Sequence, residues 1–287
     1  MALRINYNLA SSSAQRGLGA SQEAYAKQAN RLSTGLRINS ASDDAAGMAV
    51  SEKLKNQVRG LNQAQRNAQD AISLLQTAEG GLAETHSILA RMRELAVQSG
   101  NDTLSTSDRL NLNAEFTQLR AEVDRIANSV QFNGTYLLNT AGATTTTFQV
   151  GANNAQTLTV TLTNNTVGAT TYAAASGTDG LGLGDDAAAF VTTRALAAST
   201  LTTLDAAINQ VSSNRANIGA LHNRLESVGR SLAVASENTA AANSRVADAD
   251  IAASMSELVR AQILQQAGIS VLAQANQAPA LVLQLLK

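Results

Sequence analysis

The chain has 287 residues, with 21 Lys and Arg against 22 Asp and Glu, for a net charge of −1. That balance supplies no basic footprint for nucleic acid. The absence of cysteine excludes disulfides, thiolate metal sites and cysteine nucleophiles, and no apolar run approaches the roughly 18 residues that span a bilayer. Charge is unevenly placed: residues 1–60 carry eight basic and four acidic side chains, so oppositely charged regions of separate copies attract each other, modestly and subject to salt. Met1 to Asn8 lacks a basic segment followed by an apolar run and a cleavage site, and on these rules alone the chain reads as cytoplasmic.

Residues 1–40 are rich in alanine and polar side chains, with Leu18, Tyr25 and Leu32 spaced by seven. Their apolar density is low for a helix. Ser40-Ala-Ser-Asp-Asp44 breaks the pattern, and Ser42 or Asp43 is positioned to cap the next helix, with Asp44 at its positive end. From there an apolar residue or alanine recurs every seven positions, at Leu54, Leu61, Ala68, Leu75, Leu82, Leu89 and Ala96. A sustained seven-residue period specifies a long helix that buries a seam. From about Ala45 to Gln98 it would measure roughly 80 Å. Gly80 and Gly81 lie inside it at about 1 kcal/mol each relative to alanine, so packing must outweigh them or the helix bends.

Ser99 to Asn101 end that helix. A third helix starts near Ser107, with Leu112, Phe116, Leu119, Val123, Ile126 and Val130 at alternating gaps of four and three. Asn133-Gly134 supplies a turn. Between Arg125 and Arg194 there is no basic residue, and residues 140–171 hold twelve threonines. Here Phe148 to Val150 and Leu158 to Leu162 fit short strands, the latter by strict alternation, although a solvated loop fits the composition equally well. Thr170 to Asp186 reads as irregular. Helix resumes near Ala187 and continues, with breaks, to Gln277. The seven-residue beat returns at Leu204, Val211, Ile218, Leu225 and Leu232. Its flanking series changes from Leu201 and Ile208 to Leu221, Val228 and Ala235, as at a stutter. Ile251, Met255, Val259 and Ile263 then lie four apart, and the chain closes on an apolar tail containing Leu285 and Leu286.

The fold class expected is mainly α. It is an elongated coiled-coil or helical-bundle rod with its N- and C-terminal helices paired, plus a small β-hairpin region in the middle. Neither terminal arm buries enough apolar surface to offset the backbone entropy of ordering it, so both are expected to order on assembly.

Chemistry-bearing residues are sparse. His86 and His222 flank helical seams, with no HExxH and no clustered second ligand, so packed helix residues outweigh a metal site. Asp43-Asp44 suits caps better than acid–base work. Gly180-Leu-Gly-Leu-Gly184 lacks the strand–turn–helix setting and the GKS or GKT of a phosphate loop. Asn101-Asp-Thr103, Asn133-Gly-Thr135 and Asn164-Asn-Thr166 match the N-glycosylation pattern, which is weak without an export route. No nucleophile, base and orienting group come together, so no catalytic, cofactor or metal residues are assigned.

Several long segments resemble bacterial flagellin. They are NRLSTGLRINSASDDAAGMAVS (30–51), RGLNQAQRNAQDAISLLQTAEGGL (59–82), RMRELAVQSGN (91–101) and FNGTYLL (132–138). Downstream come GALHNRLES (219–227), RVADADIA (245–252) and QILQQAGISVLAQANQAP (262–279). The likeness covers roughly residues 1–140 and 195–287, and it is that of a short form with a minimal variable middle. It implies a self-polymerising filament subunit for motility, exported unfolded through the flagellar type III apparatus to an extracellular flagellum. Residues 1–44 and 248–287 would form a terminal coiled-coil domain lining the filament core. Residues 45–247 would form a helical rod with a β-hairpin and variable insert at about 140–190, and FQVGAN (148–153) resembles the start of that hairpin.

Helical-seam packing then falls to Leu54, Leu61, Leu75, Leu82, Leu89, Leu112, Phe116, Leu119, Val123, Ile126, Leu204, Val211, Ile218, Leu225 and Leu232. Core-tube packing falls to Ile251, Met255, Val259, Ile263, Leu285 and Leu286. The partners implied are further copies in a helical homopolymer, an export chaperone on the C-terminal arm, and the filament cap and hook–filament junction proteins. Host flagellin receptors are also implied: Arg91, Leu95 and Glu115 match the contact positions of the vertebrate Toll-like sensor, and residues 30–51 resemble the peptide sensed by plant receptor kinases. Two other readings share features with this one. A hook–filament junction protein has the same arms, and an enzyme-bearing flagellin with peptidase activity would need the missing HExxH.

Overall fold

The computed structural model describes residues 8–139, 144–168, 180–184 and 190–285. In chain order these form α1 (Leu9–Thr34), α2 (Ala45–Ser99), α3 (Thr106–Ser129), β1 (Gln131–Phe132), β2 (Thr135–Tyr136), β3 (Thr144–Gln149), β4 (Thr157–Leu162), α4 (Arg194–Ala247) and α5 (Ile251–Leu285). The chain divides into two compact units: Met1–Val58 with Glu237–Lys287, and Arg59–Ser236. The division falls inside α2 and α4, whereas the helix breaks lie at residues 35–44 and 248–250.

In the first unit α1 and α5 run antiparallel. Asn8 Nδ2 donates to the Ala275 carbonyl at 2.8 Å, Ser11 Oγ donates to Asn276 Oδ1 at 2.9 Å, and Gly268 faces Leu18. Asn8 also caps α1, accepting from Ser11 N–H. The helix ends at Gly35, whose φ of 71° is left-handed and returns its N–H to Arg31 O. The loop then pairs with the α4–α5 connection. Arg37 N–H donates to Ala247 O at 2.7 Å, Ala249 N–H to Gly35 O at 2.9 Å, and the Arg37 guanidinium to Val246 O at 2.6 Å. Asp44 rather than Ser42 or Asp43 caps α2, accepting from Gly47 N–H at 2.8 Å. Asp43 instead turns inward on its own loop, accepting from Asn39 and Ser40 N–H, and binds Lys27 at 2.9 Å.

The second unit holds the main core. From Leu61 onward the seven-residue series buries as a continuous line, with Leu75, Leu89, Leu204, Val211 and Leu225 at 0% exposure. From α3 it receives Phe116, Val123 and Ile126. Helix α2 continues without a break through Gly80 and Gly81. A Cβ on Gly81 would sit 2.8 Å from both Leu138 Cδ1 and Val130 Cγ2, while Gly80 meets nothing. One glycine of the pair therefore admits a close neighbour, and the other only carries the propensity cost.

The threonine-rich stretch is a hairpin. β3 and β4 pair antiparallel from Thr144↔Leu162 to Gln149↔Thr157. β4 alternates strictly, burying Leu158, Val160 and Leu162 and exposing its threonines. The first strand begins at Thr144, earlier than Phe148, because a threonine run is itself a good strand former. Asn133 (φ 48°) and Gly134 (φ 79°) make the two-residue turn between β1 and β2. Helix α4 starts at Arg194 rather than Ala187: Thr193 accepts from Leu196 N–H, a cap that fixes the start there. Ala187 and most of the segment expected to be irregular lie outside the described residues. At the far end α5 continues past Pro279 to Leu285 instead of stopping at Gln277.

Candidate assembly and recognition surfaces

A surface that binds other copies needs apolar area that its own chain leaves uncovered, and α5 supplies it. Ile251, Met255, Val259 and Ile263 expose 49%, 48%, 45% and 59% of their surface, and Leu264, Ile269 and Val271 are also above half. Ala261 and Ser254 are buried on this helix and Leu258 and Leu272 are half-buried, so only a narrow strip of α5 is covered within the chain. Helix α1 has no fully buried side chain, and its Leu9 is 65% exposed. In the groove between the two helices Gln28 holds its side-chain oxygen buried without a hydrogen-bond partner among the described residues. Each arm thus presents more apolar surface than its partner arm takes up. Leu285 closes the backbone of α5, and its side chain, like Leu286, lies outside the described set.

The seam residues divide by burial. Leu61, Leu75, Leu82, Leu89, Phe116, Val123, Ile126, Leu204, Val211, Ile218, Leu225 and Leu232 are buried, whereas Leu54, Leu112 and Leu119 are half-buried. Leu61 and Leu232 belong to a small separate cluster with Ala64, against which Ala152 of the β3–β4 turn packs.

Of the three residues matching a receptor contact, two meet at the surface. The Arg91 guanidinium donates to Glu115 at 2.9 and 3.0 Å and to Glu94 at 3.0 Å, and the paired carboxylates raise its pKa. Leu95 is 1% exposed and packs in the core beneath them. It is placed to support such a contact rather than to make it.

The remaining motifs resolve into structure. Leu181 and Leu183 are buried, with Gly180 (φ 79°) and Gly182 (φ 69°) turning the chain between them. Leu181 and Leu183 N–H donate to Thr166 and Val167 carbonyls, and a Cβ on Gly180 would collide with the Thr166 carbonyl. His222 lies 3.3 Å from Glu226, one turn along the same helix. Among the described residues no group of three His, Asp or Glu is placed to hold a metal, and no helix is long and apolar enough to cross a membrane. Asn164 is buried, Asn133 sits in the tight turn, and Asn101 is exposed.

Sequence reasoning missed one constellation altogether. Asn113 Oδ1 accepts from Phe190 and Val191 N–H at 2.9 and 3.2 Å, Thr200 Oγ1 donates to Phe190 O at 2.7 Å, and Ser99 Oγ donates to Val191 O. Three helices thereby satisfy the backbone of one short strap, and Phe190 stacks on Phe116 at 5.3 Å. A polar Asn113 inside the apolar pattern of α3 was the only signal.

Paired terminal helices, a seam-packed helical unit and a small hairpin define a flagellar filament-type fold. The chain belongs to the bacterial flagellin family: residues 5–145 match the bacterial flagellin N-terminal helical region and residues 201–286 its C-terminal helical region. It is 46% identical to the flagellin of Halalkalibacterium halodurans, across 99% of both chains. It is 44% identical to the flagellar filament 33 kDa core protein of Treponema phagedenis, again across 99% of both. Among solved structures, a protein of Vibrio parahaemolyticus provisionally assigned as flagellar hook-associated shares the fold, with 18% identity and a TM-score of 0.59 over 72% of this chain and all of that one.

Proposed function

We infer that this chain is the subunit that polymerises into the flagellar filament, a mechanical component rather than a catalyst. The observation that carries the reading is the exposed apolar row on α5, which none of the described residues covers and a neighbouring copy would. Apolar burial of this kind drives association, and head-to-tail contacts that do not close into a ring generate a helical polymer. In this reading residues 1–44 and 248–287 line the filament core and 45–247 form the rod. The nearly full-length identity to proteins named flagellin and filament core protein supports a filament role over a junction role.

The same reading places the working protein outside the cell after export as an unfolded chain. The absence of cysteine suits that route. The apolar surface of α5 suits an export chaperone, which would cover it before assembly, and the filament cap and hook–filament junction proteins would meet the polymer at its ends. Arg91 and Glu115, with Leu95 behind them, form the surface assigned to a vertebrate receptor. Residues 30–51 are the segment assigned to a plant one.

Electron microscopy of depolymerised protein, returned to neutral buffer with filament seeds, tests the filament role. Uniform long filaments that are lost on deleting residues 1–40 or 250–287 are the expected result. Persistently monomeric protein with intact ends would overturn it.

A further inference from the structure

The chain holds four methionines, at positions 1, 48, 92 and 255. Met92 is fully buried in the core of the helical unit, and Met48 is half-buried beside the α2 cap. Met255 differs: it is 48% exposed, one helical turn from Ile251 on one side and Val259 on the other. Spacing of four along α5 places these side chains on one face. A thioether there is the one oxidisable atom in a row of hydrocarbons.

We propose that Met255 is an oxidative modification site that gates assembly: a peroxide-class oxidant converts it to the sulfoxide in the free subunit, and the sulfoxide bars that subunit from the polymer. The reaction needs only the named oxidant. Peroxide transfers one oxygen to the thioether sulfur, which is oxidised by two electrons, and the peroxide is reduced to water. The product replaces a flexible apolar side chain with a polar one whose oxygen demands a hydrogen-bond donor. On exposed α5 water provides that donor, so the free subunit keeps its fold. Against the apolar side chains of a neighbouring copy no donor is available, and burying the group is penalised. Burial separates Met255 from Met92, which is sealed in the core of the monomer, and the Met255→Leu variant below separates it from the half-buried Met48. Within a filament Met255 is sealed as well, which confines the modification to subunits not yet incorporated. This inference rests on the filament reading given above.

The test treats full-length monomer with hydrogen peroxide, locates the sulfoxide by peptide mass spectrometry, and follows seeded elongation by light scattering. Met255 is expected to oxidise well before Met92 in monomer and to be protected in preformed filaments. Oxidised subunits are expected to need a free concentration about tenfold or more higher before filaments grow. Methionine sulfoxide reductases should restore growth, and Met255→Leu subunits should grow equally with and without peroxide. Unchanged helicity by circular dichroism shows that the treated and variant subunits are folded. Undiminished growth of subunits carrying the Met255 sulfoxide would overturn the gate alone, as would peroxide sensitivity that persists in Met255→Leu. Failure of the untreated chain to elongate would overturn the filament reading and the gate together.

Discussion

The side chain of Asn8 closes a gap that Pro279 opens: its Nδ2 donates at 2.8 Å to the main-chain oxygen of Ala275, the carbonyl four residues before the proline. Pro279 has no N–H to return to that carbonyl. The other end of the same amide caps α1, accepting from Ser11 N–H at 3.1 Å. One residue therefore starts the first helix and repairs the last, and it fixes where the two arms meet.

Replacing Asn8 with Ala should remove both bonds, costing about 1 kcal/mol for the cap and a further ~1 kcal/mol for the unpaired carbonyl. Asn8→Asp keeps the cap acceptor but has no donor for Ala275. Pro279→Ala returns the intrahelical donor, so the Asn8→Asp penalty should shrink in that background. A double-mutant cycle read by hydrogen exchange in the first turn of α1 in assembled protein, where the arms are paired, measures the coupling.

The two central glycines should respond in opposite directions. Gly80→Ala meets open space and should stabilise by about 0.5–1 kcal/mol through helix propensity. Gly81→Ala drives a methyl into Val130 and Leu138 and should destabilise by about 1–3 kcal/mol. Denaturant midpoints of the two variants decide the matter.

The loop after α1 should loosen only in strong acid. The hydrogen bond from Lys27, helped by the Asn39 N–H and opposed by desolvation, lowers the Asp43 pKa from 3.8 to about 2. A depressed carboxylate contributes its full stability above the unfolded value and loses it as pH falls through the folded value. The difference between the wild type and Asp43→Asn should therefore be constant above pH ~4 and vanish towards pH ~2. Exchange rates of the residue 39–43 amides across that range report it.

Asn113→Ala should strand two backbone N–H groups of the strap at 190–191, at a cost of about 2–4 kcal/mol. Asn113→Asp retains the acceptor and should recover part of the loss. Equilibrium unfolding of the full chain provides the readout.

The helical architecture was legible because its signal is periodic. Leu75, Leu89, Leu204 and Leu225 recur at seven and are buried without exception. Strand β4 was equally plain, since alternation has no helical counterpart. What could not be read were contacts made across long sequence separation by single polar groups. Nothing in the local sequence of Asn113 points to Phe190, and nothing near Asn8 points to Ala275. Burial of Leu95 beneath Arg91 and Glu115 was hidden for a related reason: a likeness in sequence names the residues of a surface without saying which of them face outward. The start of α2 at Ala45 was legible and only its capping residue was misassigned, whereas the start of α4 was missed because Thr193 captures the helix end at Arg194.

The uncovered row of α5 is the surface on which assembly depends in the filament role proposed above, and one measurement addresses it directly. Val259→Gln and Ile263→Gln alter side chains that are 45% and 59% exposed, so the isolated chain should unfold within about 0.5 kcal/mol of the wild type. Seeded elongation, followed by electron microscopy and light scattering at matched concentration, should nevertheless be lost or severely reduced. Filaments that grow at the wild-type rate from either variant would contradict the assignment of this row to assembly.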